Sequence, residues 1–252
     1  MANLPTETLP ADSQKVHSEA ERPRVALSSP NLLKATAAIV WKDLAAELRS
    51  REMFSSMLVF ALLVVLIFNF ALDLQPKLRA TVTPGVLWVT FVFAATLGLN
   101  RSMAMEKDRG CLDGLLLAPV DRSAIYFGKA LGNLIFMMVI EAIILPVYSV
   151  LYNINLINPG LLLVIIMGSV GFVAVGTLLS TMSVQTRSRD MLLPILLFPL
   201  IMPVIISSVK ASTGFLEAWE FADIQPWLSL LLVYDVIFIA LAFMFFDYIV
   251  EE

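Results

Sequence analysis

Residues 101–129 read RSMAMEKDRGCLDGLLLAPVDRSAIYFGK, a charged interruption between two long apolar runs. It carries five basic residues (Arg101, Lys107, Arg109, Arg122, Lys129) and four acidic ones (Glu106, Asp108, Asp113, Asp121). With apolar segments on both sides, such a stretch is expected in water or against another protein. Gly110 suits the position just past a helix end and Pro119 cannot continue a helix, so the stretch divides in three. Arg101 to Arg109 continues a membrane helix into water. Cys111 to Ala118 is short and apolar, with Leu112, Leu115 and Leu116 at helical spacing and Asp113 as its charge. The next helix begins at Asp121 or Ser123, either of which can cap it by accepting a backbone N–H bond. Two readings stay open for the middle piece. It is a linker whose leucines rest on the bilayer surface or the bundle end, or a docking helix for a groove on a soluble partner.

Composition sets the class around this loop. Of 252 residues 59% are hydrophobic and 15% charged, and the mean hydropathy is +0.84, well above ordinary soluble domains. This predicts an all-α polytopic membrane protein. A net charge of −4 with interspersed signs gives no footprint for nucleic acid. One cysteine, Cys111, and one histidine, His17, exclude an internal disulfide and a metal site of usual type.

Residues 1–30 are polar, with Pro5, Pro10, Pro23 and Pro30 and no apolar run, and read as a disordered extension without a signal peptide. The transmembrane domain is assigned to 31–252. From Leu32 to Glu52 the pattern is amphipathic: Val40, Trp41, Leu44 and Leu48 lie on one side, and Lys42, Asp43, Glu47, Arg49 and Arg51 elsewhere. This is an elbow helix in the membrane interface, the competing reading being a soluble helix packed on a cytoplasmic partner. Six spans follow, at Met53–Leu74, Pro84–Asn100, Ala130–Leu151, Leu161–Met182, Met191–Val209 and Trp227–Tyr248. Lys34, Lys42, Arg49, Arg51, the five basic residues of 101–129, Arg187 and Arg189 fall on one side of them, against Lys77, Arg79 and Lys210 on the other. The positive-inside rule then puts both termini and the 101–129 loop in the cytoplasm.

Inside the spans, Glu141 and Asp235 are carboxylates at costly depth. Glu141 serves either a substrate or subunit path or an interhelical hydrogen bond. Packing is favoured for Asp235, because Tyr234 and the span end give it a route to water. Gly168, Gly171, Ala174 and Gly176 in span four admit close helix approach. Pro194, Pro199 and Pro203 bend span five. Phe215, Leu216, Trp219 and Phe221, with Glu217, Glu220 and Asp223, form an aromatic acidic segment at the outer interface. There is no phosphate-binding loop, since Gly128-Lys129 is followed by Ala130 and has no glycine five residues earlier. A Ser/His/Asp triad is excluded with His17 in the leader.

Three motifs carry a resemblance: Trp41-Lys42-Asp43-Leu44 with Glu47-Leu48-Arg49-Ser50-Arg51-Glu52; Pro84-Gly85-Val86-Leu87-Trp88; and Glu106-Lys107-Asp108-Arg109-Gly110 leading to Leu115-Leu116-Leu117-Ala118-Pro119. Together they resemble the haem exporter B family of bacterial cytochrome c maturation, from about residue 35 to the C-terminus. The polar leader lies outside the resemblance. The resemblance implies a non-catalytic, six-helix permease of an ATP-binding-cassette transporter in the bacterial inner membrane. Its partners would be a separate ATPase subunit that holds ATP, a second permease copy, haem-handling membrane proteins and a haem chaperone. No cofactor is expected on the chain itself. The coupling residues this implies are Glu106, Arg109, Gly110, Leu112, Asp113, Leu115, Leu116 and Pro119. Two other classes stand against it: an ATP-independent carrier or channel using Glu141 and Asp235, and a passive membrane scaffold.

Overall fold

The computed structural model describes residues 32–71, 76–108, 122–184 and 189–251, with side chains over 32–71, 81–102, 123–181 and 193–244. The expected extension at 1–30 lies outside them. The described residues form seven helices: α1 (Leu32–Ser50), α2 (Glu52–Ala71), α3 (Pro76–Asp108), α4 (Arg122–Tyr152), α5 (Pro159–Val184), α6 (Arg189–Leu216) and α7 (Phe221–Glu251). Six contain stretches long and apolar enough to cross a membrane: Glu52–Ala71, Thr81–Ser102, Ser123–Tyr152, Pro159–Thr181, Leu193–Leu216 and Phe221–Met244. The chain is an all-α polytopic membrane protein, as the composition required. In lipid every backbone polar group must be satisfied within the segment, and a helix does this for each span alone.

Two helices are central. In the most apolar 18-residue stretch of α3 and of α5, 72% and 67% of residues are buried inside the protein, against 22–33% in the others. Small residues explain α5. A Cβ on Gly168 would collide with the Trp88 ring of α3 and the Ser208 hydroxyl of α6, one on Gly171 with Asp235 of α7, and one on Gly176 with Leu99 of α3. Three neighbours thus approach the α5 backbone where it has no side chain, which strengthens dispersion contact where no hydrophobic effect drives helices together. Trp88, fully buried, fills the space over Gly168 and donates its indole N–H to Ser212 Oγ at 3.0 Å.

The helix ends differ from the expected span ends for physical reasons. Arg101 to Asp108 continues α3, as read from the sequence. The third span starts at Ser123, not Ala130, because Tyr126 is buried and its hydroxyl donates to Ala174 O of α5 at 2.9 Å. The elbow stops at Ser50 and not Glu52. Arg51 takes a left-handed φ of 56°, and α2 begins on the next residue. α6 stays helical through Pro194, Pro199 and Pro203, which membrane helices tolerate when neighbouring groups satisfy the freed carbonyls. Between α4 and α5, Asn158 caps α5 by accepting the Gly160 N–H at 2.9 Å, with Pro159 at the first helical position.

Gly168→Ala is expected to lower the thermal midpoint in detergent, through about 1–3 kcal/mol of overpacking against Trp88. Gly85→Ala, with nothing within 4 Å of the added carbon, should leave it unchanged or raised. Equal responses would show that α5 does not pack through this glycine.

Candidate functional site

Of the residues singled out for coupling, Arg109, Gly110, Leu112, Asp113, Leu115, Leu116 and Pro119 lie outside the described residues, and Glu106 is placed only by its backbone in the last turns of α3. What the structure does describe is how the two helices flanking that segment are held. Each is tied by a charged residue that the sequence assigned to the aqueous loop. Arg101 on α3 pairs with Glu52, the first residue of α2. Lys129 on α4 is 3% exposed, and its Nζ lies 2.7 Å from Asp43 Oδ2 of the elbow. Lys129 is withdrawn from water, whereas the Arg101–Glu52 pair lies at the surface, each side chain about half exposed.

The elbow is amphipathic, and the polar side is the one that faces the protein. Trp41 and Leu48 are 74% and 73% exposed, and Leu33 is equally open, so the apolar stripe points away from the bundle. The opposite side presents Ala35, Thr36, Ile39 and Glu47, all buried, together with Asp43. Ile39 packs with Ile125, Tyr126 and Ala242, joining the elbow to the start of α4 and the end of α7. Gly128 makes that approach possible, since a Cβ there would stand 2.7 Å from Ile39. Sequence reasoning found the apolar stripe and placed Asp43 and Glu47 off it, without separating them from Lys42, Arg49 and Arg51 as residues that face the bundle. The signal that was present is their spacing: Ile39, Asp43, Glu47 and Ser50 share one helical face.

Glu47 has a second task. Its Oε1 accepts the Phe54 N–H at 2.7 Å, so a carboxylate from α1 serves as the cap of α2, at the positive end of that helix dipole. The last turn of α1 closes with Arg51 N donating to Glu47 O at 2.7 Å, and Ser55 N donates to Arg51 O at 3.1 Å. One residue therefore ends one helix and begins the next.

The two intramembrane carboxylates meet α5 at the same level from different sides. Glu141, 2% exposed, accepts from Ser169 Oγ at 2.6 Å through Oε1, and its Oε2 has no hydrogen-bond partner among the described residues. Asp235 lies against Gly171, and its Oδ1 is likewise unpartnered among the described residues. Ser169 and Gly171 are roughly 200° apart around a helix, so α5 separates the two acids. Asp235 is 9% exposed, and the Tyr234 hydroxyl beside it donates to Leu200 O of α6 at 2.8 Å. A cavity of about 10 Å³ lies among Met53, Met57, Asn133 and Phe172, room for one water at most. No three His, Cys, Asp or Glu side chains converge among the described residues.

Residues 34–249 match the protein family described as CcmB protein. The chain belongs to the CcmB family. The match starts within the elbow, takes in all six spans and omits the leader. Among similar proteins, heme exporter protein B of Rhodobacter capsulatus is 29% identical over 172 residues, 67% of this chain and 78% of the relative. Heme exporter protein B of Paracoccus denitrificans is 26% identical over 175 residues, 69% and 80% of the two chains. That of Pseudomonas aeruginosa is 24% identical over 173 residues, 68% and 78%. The CcmB-family chain thus carries its elbow clamp, Asp43 to Lys129 and Glu47 to α2, within the part that defines the family.

Asp43→Asn, which leaves the buried Lys129 ammonium without this carboxylate, is expected to destabilise by about 2–4 kcal/mol. Lys42→Ala should change stability by less than about 0.5 kcal/mol, since the Lys42 side chain is 41% exposed. Thermal unfolding of the purified chain in detergent distinguishes them, and equal losses would remove the clamp.

Proposed function

We propose that this chain is the membrane permease subunit of an ATP-binding-cassette transporter for cytochrome c maturation. It takes up movement from a partner ATPase and passes it to haem export or to release of a haem-loaded chaperone. The match of residues 34–249 to the CcmB family, whose similar members are named heme exporter protein B, carries this reading. The chain works in the bacterial inner membrane with the elbow end and both termini cytoplasmic, as the distribution of Lys and Arg favours.

The sequence supplies no phosphate loop, so nucleotide chemistry belongs to the ATPase and this subunit contributes mechanics. Leu112, Leu115 and Leu116 seat in an ATPase groove, Glu106, Arg109 and Asp113 orient the contact, and Gly110 and Pro119 bound it. A displacement of this segment enters through α3 and α4. Because α2 packs on α3 with Met57 against Gly98 and Lys129 ties α4 to the elbow, the four N-terminal helices take the displacement together. α3 is central and runs past α5 and α6, which carries the motion to Trp88 and Ser212 near the far end. Haem is cargo handled by partner proteins. The spans contain no histidine, the common axial ligand of haem iron.

A second reading rests on the unpartnered Glu141 Oε2: a carrier that uses this acid without ATP. Activity abolished by Glu141→Gln and untouched by deleting the ATPase partner would favour it.

Leu115→Asp is expected to abolish co-purification of the ATPase subunit while the permease still folds, and Arg109→Ala to reduce it by less than about threefold, because exposed ion pairs contribute little. Undiminished binding by Leu115→Asp takes the loop out of the coupling role. Cys111 is the single cysteine of the chain, so a membrane-impermeant maleimide reports its side directly. Labelling is expected in inverted vesicles and absent in spheroplasts, and the reverse pattern would overturn the orientation.

A further inference from the structure

The hairpin joining α6 to α7 forms a fixed aromatic cleft at the end of the bundle remote from the elbow. α6 closes with the Glu217 N–H donating to Thr213 O at 2.8 Å and the Trp219 N–H to Gly214 O at 2.9 Å, with Ala218 at a φ of 54°. Trp219, Asp223 and Trp227, spaced four residues apart, line an open cleft of about 440 Å³. The Trp219 indole N–H donates to Glu217 Oε2 at 3.0 Å, and Glu217 Oε1 accepts from Thr81 at 3.2 Å on α3. A Cβ on Gly214 would touch the same indole ring at 3.2 Å. Trp219 is therefore held from its edge and from below.

This differs from a tryptophan that anchors a helix among lipid headgroups, where the indole N–H faces the interface. Here the Trp219 donor is already engaged by Glu217, and the cleft is lined by the two indoles and a carboxylate. Both attract cations, the rings through their quadrupole and Asp223 through its charge. Asp223 also sits in the first turn of α7, where a carboxylate suits the helix dipole; its exposure leaves it able to serve a ligand as well. Exposed Glu217 and Glu220 add to the negative potential, so haem propionates and phosphate groups are repelled. A planar guanidinium matches the cleft better than an ammonium, because it stacks on an indole while two N–H groups meet one carboxylate. The cleft is open on its outer side, which suits a side chain presented by another protein.

We propose that the Trp219–Asp223–Trp227 cleft docks an arginine side chain presented by a membrane partner protein on the face opposite the ATPase. This rests on the proposed function only in that the subunit works with such partners. The test uses the full chain in nanodiscs of phosphatidylethanolamine and phosphatidylglycerol, in a Trp41→Phe background, titrated with acetyl-Gly-Arg-Gly-amide and read by tryptophan fluorescence. The arginine peptide is expected to bind at least about fivefold tighter than its neutral citrulline counterpart, and Asp223→Asn to remove most of that difference. Equal binding of the two peptides to the unaltered cleft overturns the proposal without needing any variant to fold. Phosphocholine binding as tightly as the arginine peptide also overturns it, by making the cleft a headgroup site. Loss of ATPase binding bears on the proposed function alone, because the peptide contrast is measured with no ATPase present.

Discussion

Lys129 is buried and held 2.7 Å from Asp43, and the position of the first helix depends on that contact. A buried ammonium must find a partner where it lies, since an uncompensated buried charge is costly. The elbow supplies the carboxylate. It also brings Ile39 onto Gly128, so the ion pair and the close approach reinforce each other. Once the Asp43 and Glu47 side of α1 is committed to the protein, Trp41 and Leu48 are left facing outward. The outward apolar stripe and the attachment to the bundle are thus two sides of one amphipathic pattern.

The interior is arranged around α5 by a different rule. Lipid tails give helices no hydrophobic reason to associate, so close contact must come from shape. Glycines at 168, 171 and 176 admit a tryptophan ring, a carboxylate and a leucine from three directions. Polar side chains follow the same helix: Ser169 serves Glu141, and Thr177 accepts from Asn133 at 3.1 Å. Glu141 and Asp235 meet α5 from different sides, at Ser169 and Gly171, which argues against a paired-acid centre.

Six spans, the elbow stripe and the continuation of α3 to Asp108 were legible in the sequence because each depends on local hydropathy or periodicity. Lys129 was not. A lysine after a loop looks solvated, and only the tertiary approach of α1, with Gly128 opening the way for Ile39, reveals it as the inner partner of Asp43. The partner of the Tyr234 hydroxyl was equally hidden, since its bond to Leu200 O depends on how α7 meets α6. Glu47 as a cap for α2 could not be read either, since the usual cap comes from the residue before the helix and here it comes from seven residues before the N–H it meets. The family motifs, by contrast, were readable and led to the CcmB family that the match over residues 34–249 establishes.

Arg51 alone joins α1 to α2, in a backbone conformation that few side chains adopt. A joint of one residue has no slack to absorb rotation. With Glu47 bonded across it, a rotation of α1 about its axis is passed directly to the first turn of α2. The same geometry makes the joint intolerant of length change: inserting one residue would turn the Glu47 face by about a quarter revolution or more and uncouple α1 from both helices it serves.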